Sequence, residues 1–236
     1  MTPPIDDPEA LRRILANTEA LLLDFDGPIC SVFSGFPAPI VADQLRGILA
    51  EGGHTTLPEP IQTATDPFDI LFYAATLGPN EARYVEAAFR AHEAEAIRTA
   101  APTPFAHQLI RVWKETRRAL AVVSNNSVVA VEIYLRRFDL TTSVDSIAAR
   151  TSGDVSILKP SPRLVTLAVQ SVGREASRGL LIGDSVTDAL AATAAGVPSV
   201  GYVNKPWKFE QFEKVNCVAV VSSMQLIVEA VDGREL

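Results

Sequence analysis

Leu21-Leu22-Leu23-Asp24-Phe25-Asp26-Gly27-Pro28 is an apolar run that stops at two carboxylates one residue apart and then meets a Gly-Pro breaker. A short apolar run bounded by turn residues reads as a buried strand, here over 20–25, whose end opens onto a loop. In open parallel α/β sheets, ligands bind outside the carboxyl ends of the strands. Asp24 and Asp26 therefore stand where chemistry is expected.

Working outward, three later stretches repeat the pattern of strand followed by polar loop: Val122-Val123-Ser124-Asn125-Asn126, Ile157-Leu158-Lys159-Pro160 and Leu181-Ile182-Gly183-Asp184-Ser185-Val186-Thr187-Asp188. Between them the periodicity alternates. It predicts a helix over 7–17 before the first strand and, from 105 onward, helices near 105–117, 128–138, 161–172 and 186–195. Strands are predicted at 119–123, 144–149, 179–183, 199–203 and 218–221, with a terminal helix. Such alternation implies a mainly parallel sheet covered by helices on both faces.

Residues 31–103 break the alternation. Val41, Leu45, Ile48 and Leu49 share one helical face ending at Gly52-Gly53. Phe68, Leu71, Phe72 and Ala75 share another, opened by Asp66-Pro67 and closed by Gly78. Val85, Ala88, Phe89 and His92 form a third. So long a segment is no plain connection in an α/β unit. The expected organisation is a discontinuous α/β core, 1–30 and 104–236, carrying a helical insertion at 31–103.

The chain has 236 residues, 47% of them hydrophobic, enough for a substantial core without staples. Its net charge of -7 and lack of a dense basic run argue against nucleic acid or an anionic membrane as partner. No apolar run approaches membrane-spanning length and no targeting segment precedes the first helix, so a cytoplasmic protein is expected. Two cysteines, Cys30 and Cys217, fit a reduced compartment, with Cys30 packed behind the Asp26 loop. The three histidines show no ligand spacing, and Trp207 reads as a packed aromatic.

If the four loops converge, they assemble Asp24, Asp26, Asp184 and Asp188, with Ser124, Asn125 and Lys159. Four carboxylates in one crevice repel one another unless a cation neutralises them. All-oxygen ligands favour Mg²⁺, which commonly shares its shell with a substrate phosphate. Lys159, Ser124 and Asn125 then offer charge and donors to the remaining phosphate oxygens.

In this order the four stretches resemble the haloacid dehalogenase superfamily, in particular its phosphoglycolate-phosphatase-like branch. The resemblance implies a Rossmann-like core with an α-helical cap, and a Mg²⁺-dependent phosphatase that hydrolyses a small phosphomonoester through an aspartyl-phosphate intermediate. Asp24 would be the nucleophile and Asp26 the general acid and base. Mg²⁺ would be held by Asp24, the Asp26 carbonyl and Asp184, with Asp188 in support. Pro28 stands where the family usually has threonine or valine. The partner expected is a small phosphorylated metabolite, and the protein a monomer or homodimer. A phosphomutase using the same Asp24, or a module that senses phosphorylated ligands without turnover, are the alternatives.

Overall fold

The computed structural model describes residues 3–233. Residues 1–2 and 234–236, included in the core bounds expected from sequence, lie outside the described residues.

The chain begins with α1 (Pro8–Ala16), capped by the Asp7 carboxylate, which accepts from the Glu9 and Ala10 amides. It enters the sheet as β1 (Ala20–Leu23), then makes β2 (Cys30–Ser31), α2 (Ala38–Glu51), α3 (Glu59–Thr63), α4 (Pro67–Leu77), α5 (Pro79–Ala96) and β3 (Ala101–Pro102). Alternation follows: α6 (Ala106–Glu115), β4 (Ala119–Ser127), α7 (Val128–Arg137), β5 (Ser146–Arg150), α8 (Arg163–Ser171), β6 (Gly179–Gly183), α9 (Val186–Ala194), β7 (Ser199–Tyr202), α10 (Phe209–Phe212), β8 (Ala219–Val221) and α11 (Met224–Asp232).

Six strands form a parallel sheet in the order β5-β4-β1-β6-β7-β8. β1 lies between β4 and β6, with Leu23 opposite both Val122 and Ile182. The chain builds to one side of β1 and then to the other, so strand order reverses there and a crevice opens at the carboxyl ends. The leucine triplet is buried on both faces because parallel strands are covered twice. Leu21 and Leu23 pack with Leu120, Leu180 and the helices α1, α6 and α11, whereas Leu22 packs with Val123, Leu181 and α8. Burying each such leucine stabilises by roughly 1.5–3 kcal/mol.

None of the described residues of α2–α5 joins the central sheet. The helices form where sequence periodicity places them, and α2, α4 and α5 pack on one another. Val41, Leu45, Leu71, Val85 and Phe89 continue the core on the Leu22 face. The antiparallel ribbon β2–β3 closes the base of this segment; with two residues per strand it leaves no periodicity to read. β4 runs four residues past its predicted end, because a register shift lets Ser127 pair with Arg150 after Ser124 has paired with Ala149.

Arg150 ties the helical segment to the sheet. Fully buried, it meets Glu86 and Glu93 of α5, each at 2.6 Å. Its Nε donates to the Asn125 carbonyl at 3.1 Å, and its guanidinium lies over the Phe89 ring. Glu93 also accepts from the Asn126 side chain and the Ser127 amide, both at 3.0 Å. One partner removed from such a network leaves buried charge uncompensated. Arg150→Ala should lower unfolding free energy by about 3–5 kcal/mol in a urea titration; a loss below about 1 kcal/mol, the worth of a surface pair, would contradict this role.

Candidate active site

The site is built from strand ends. Asp24 follows β1, and its amide still donates to Ile182 of β6 at 2.9 Å, fixing the residue at the sheet edge. The next turn folds back: Cys30 N–H reaches the Phe25 carbonyl at 3.1 Å and Gly27 N–H the Cys30 carbonyl at 2.7 Å. Gly27 has φ +111°, and a Cβ there would fall 2.3 Å from the Asp184 carboxyl carbon. Glycine is required on both counts. Pro28 costs the turn no hydrogen bond, since the amides on either side carry it. A hydroxyl comes instead from Thr103, which donates to the Gly27 carbonyl at 2.5 Å.

Asp184 and Asp188 come from the end of β6 and the first turn of α9. Ser185 caps that helix, its hydroxyl accepting from Asp188 N–H while Asp188 Oδ2 accepts from the Ser185 amide and hydroxyl. This reciprocal box holds Asp188 rigid. Ligand oxygens of Asp24, Asp184 and Asp188 lie within 4.8 Å of one another.

Lys159 fills the space between them. Its ammonium is 2.7 Å from Asp24 Oδ1, 2.5 Å from Asp188 Oδ1 and 3.3 Å from the Val123 carbonyl, which occupies all three of its N–H groups. Asn125 holds it there: the amide oxygen accepts from Lys159 N–H at 2.7 Å and the amide nitrogen donates to the Lys159 carbonyl at 3.1 Å. Lys208, beyond β7, meets Asp184 Oδ2 at 2.5 Å, and Asn204 donates to the same oxygen.

Asp24, Asp26, Asp184 and Asp188 thus outnumber the ammonium groups of Lys159 and Lys208, and Asp66 adds a further carboxylate to the same cavity, an excess of negative charge that a cation would offset. Asp24 Oδ2 and Asp184 Oδ1 receive no hydrogen bond from the described residues, and among those residues no buried polar side-chain atom lacks a partner. Those oxygens face open space. The all-carboxylate donor set fits a hard metal ion.

Burial, then the neighbouring Asp188, raises the Asp24 carboxyl well above the usual range, with Lys159 opposing. Burial, with the charges of Asp184 and Asp66, pushes Asp26 up to about 6 against the amide of Val32 that it accepts at 2.9 Å. Burial works against the Lys159 charge, but Asp188 and Asp24 outweigh it and keep the ammonium protonated. The Cys30 thiol is pushed up by burial and by Asp26 and Asp24, which makes it inert packing.

A cavity of about 250 Å³ opens above Asp24 and Asp26. Of the residues singled out from sequence, Asn125, Lys159 and Asp184 also line it. Ser124 lies beneath the wall, fully buried, its hydroxyl accepting from Asn126 N–H and donating to the Asn126 amide oxygen. Asp188 lies behind Lys159. From the helical segment come Asp66, Phe68 and Phe72, which sequence periodicity could assign to α4 but not to a pocket. Trp207, expected to be packed, is 60% exposed; its loop carries it outward, with Lys205 over the ring.

The family profile described as haloacid dehalogenase-like hydrolase matches residues 63–202. A phosphoglycolate phosphatase of Caulobacter vibrioides is 28% identical over 172 residues, covering 71% of this chain and 68% of the relative. One of Agrobacterium fabrum is 25% identical, covering 70% and 66%. The chain spans about two thirds of the length of these relatives. The crystal structure of a hydrolase from Pseudomonas syringae superposes with a TM-score of 0.67 at 17% identity, covering 93% of this chain and all of the other. That likeness concerns the fold. Among the described residues no helix is long and apolar enough to cross a membrane.

Folded Asp24 and Asp26 hold their protons more tightly than free aspartate. Without metal, their contribution is complete below about pH 4 and is lost as pH rises, for Asp26 through about 6. A bound cation removes that loss. The rise in Tm produced by Mg²⁺ should therefore be small in acid and grow towards neutrality, as followed by scanning calorimetry against a chelator control; a shift that does not change with pH would contradict the shared site.

Proposed function

Because the chain belongs to the haloacid dehalogenase-like hydrolases, and because its strand ends bring Asp24, Asp184 and Asp188 together around Lys159, we propose that it is a Mg²⁺-dependent phosphatase of small phosphomonoesters. The single observation that carries the reading is the convergence of these carboxylates with free oxygens on Asp24 and Asp184. Relatives named as phosphoglycolate phosphatases support the reaction class.

In this reading Asp24, the Asp26 carbonyl and Asp184 hold Mg²⁺, which supplies positive charge against the phosphate dianion. One oxygen of the Asp24 carboxylate attacks phosphorus as the P–O bond to the alcohol breaks, and an aspartyl phosphate forms. Asp26, with a carboxyl near 6, is suited to protonate the departing alkoxide and then to take a proton from the attacking water. Lys159 lends charge to a phosphoryl oxygen that displaces one of its present acceptors. Asn125 positions Lys159, Asp188 fixes its far side, and Ser124 shapes the turn that presents Asn126. Residues 31–103 serve as a cap over a core of 1–30 and 104–236, and closure on the substrate excludes water.

The two aspartates should fail differently. Asp24→Asn gives no phosphoenzyme from any substrate. For Asp26→Asn, formation of the phosphoenzyme drops by about 10²–10⁴-fold with an alkyl ester and much less with p-nitrophenyl phosphate, whose leaving group needs no proton. Rapid-quench measurement with both substrate types decides: equal losses would remove Asp26 from the role of general acid. Asp184→Ala should raise the Mg²⁺ requirement or abolish turnover, whereas full activity in excess chelator would contradict the metal assignment.

A further inference from the structure

The cavity above Asp24 has two unlike walls. Its floor is polar and comes from strand ends, whereas the opposing wall is α4 with its N-cap: Asp66, Phe68 and Phe72. Lys159 is the one cation among the described residues lining it. Lys159 is 4% exposed, and its ammonium is already held by Asp24 and Asp188. Lys205 and Lys208 border a separate cavity, and Asp26 and Asp184, which line both, stand between.

Asn126, Ser185 and Thr187 add neutral polar groups to the lining, so on the α4 side the part of a substrate beyond the phosphoryl group meets one carboxylate and two phenyl rings. Asp66 spends Oδ1 on the Phe68 amide, at 2.9 Å, and no donor among the described residues takes Oδ2. Phe68 is braced edge-on by Phe89, with centroids 4.9 Å apart, and Phe72 is left 37% exposed beside it. A carboxylate placed here would face Asp66 with no counter-ion. An ammonium would find a counter-ion and two aromatic rings together, the pairing that recognises organic cations.

We propose that the alcohol released by this enzyme carries a cationic nitrogen, so that its substrates are small aminoalkyl phosphomonoesters, and that Asp66, Phe68 and Phe72 select them over acidic ones such as phosphoglycolate. The inference rests on the phosphatase reading of the same site. Asp66 is a specificity residue: it touches the leaving group and takes no part in bond making. Its present carboxylate excludes acidic esters as much as it attracts basic ones.

Three esters of equal length separate the terms: aminoethyl phosphate, hydroxyethyl phosphate and phosphoglycolate. The full chain with Mg²⁺ should show kcat/KM falling in that order, with the first exceeding the last by about tenfold or more, the worth of one ion pair plus one cation–π contact. Asp66→Asn keeps an amide oxygen to cap α4 and should bring the ratio of the two charged esters towards unity. Preference for phosphoglycolate in the natural chain, or the same ratio in Asp66→Asn, would overturn the inference while leaving the phosphatase reading intact. p-Nitrophenyl phosphate, which carries neither charged group, is the control. Failure to hydrolyse it with Mg²⁺ would overturn the phosphatase reading and this inference with it.

Discussion

Asp24 and Asp188 can share one crevice because a buried ammonium lies between them. Lys159 Nζ touches both carboxylates and a strand carbonyl, so the charge that would otherwise drive the strand ends apart is partly neutralised inside the fold. A buried lysine is tolerated only with such partners. The neutralisation is incomplete by design of the residue set: Asp26 and Asp184 add two charges and Lys208 removes one. What remains, with Asp66 in the same cavity, is an excess of negative charge of the kind a divalent cation offsets. The sheet topology, the Gly27 turn and the Ser185 cap all serve to place these charges within a few ångströms of each other.

The second constraint joins the helical segment to the same strand ends. Arg150 and Glu93 connect α5 to the backbone of Asn125 and to Asn126 and Ser127, and Asn125 in turn grips Lys159. The segment that supplies Asp66 and the aromatic wall is therefore linked, through paired buried charges, to the residues that position the ammonium. In such a network the position of α5 and the geometry of Lys159 are not independent.

Much of the fold is legible in the sequence because its signals are local. Leu21–Leu23, a short apolar run bounded by turn residues, reads as a buried strand, and Asp66-Pro67 and Gly78 bound α4 where helix-start and helix-stop chemistry places them. The aspartates are legible because each follows such a strand directly. What escapes is set by tertiary packing. β2 and β3 are two residues long and exist only as partners. Arg150 looks like any strand-end cation until Glu86 and Glu93, more than fifty residues away, are seen to enclose it. Ser124 reads as a phosphate donor, yet its hydroxyl is turned to Asn126. Asp66 carries a plain N-cap signature, and only the packing of α4 over the crevice brings it opposite Asp26.

Covalent attachment of phosphate to Asp24 can be read from a single preparation. Asp26→Asn protein, loaded with Mg²⁺ and p-nitrophenyl phosphate, is quenched in acid, digested and weighed by mass spectrometry. With Asp24 as the proposed nucleophile and Asp26 as the proposed base, this variant should form the aspartyl phosphate but not hydrolyse it, and the peptide spanning Leu21–Pro28 should carry the mass of one phosphoryl group, located at Asp24. Release of p-nitrophenol without any labelled peptide, or a label on another residue, would contradict Asp24 as the nucleophile.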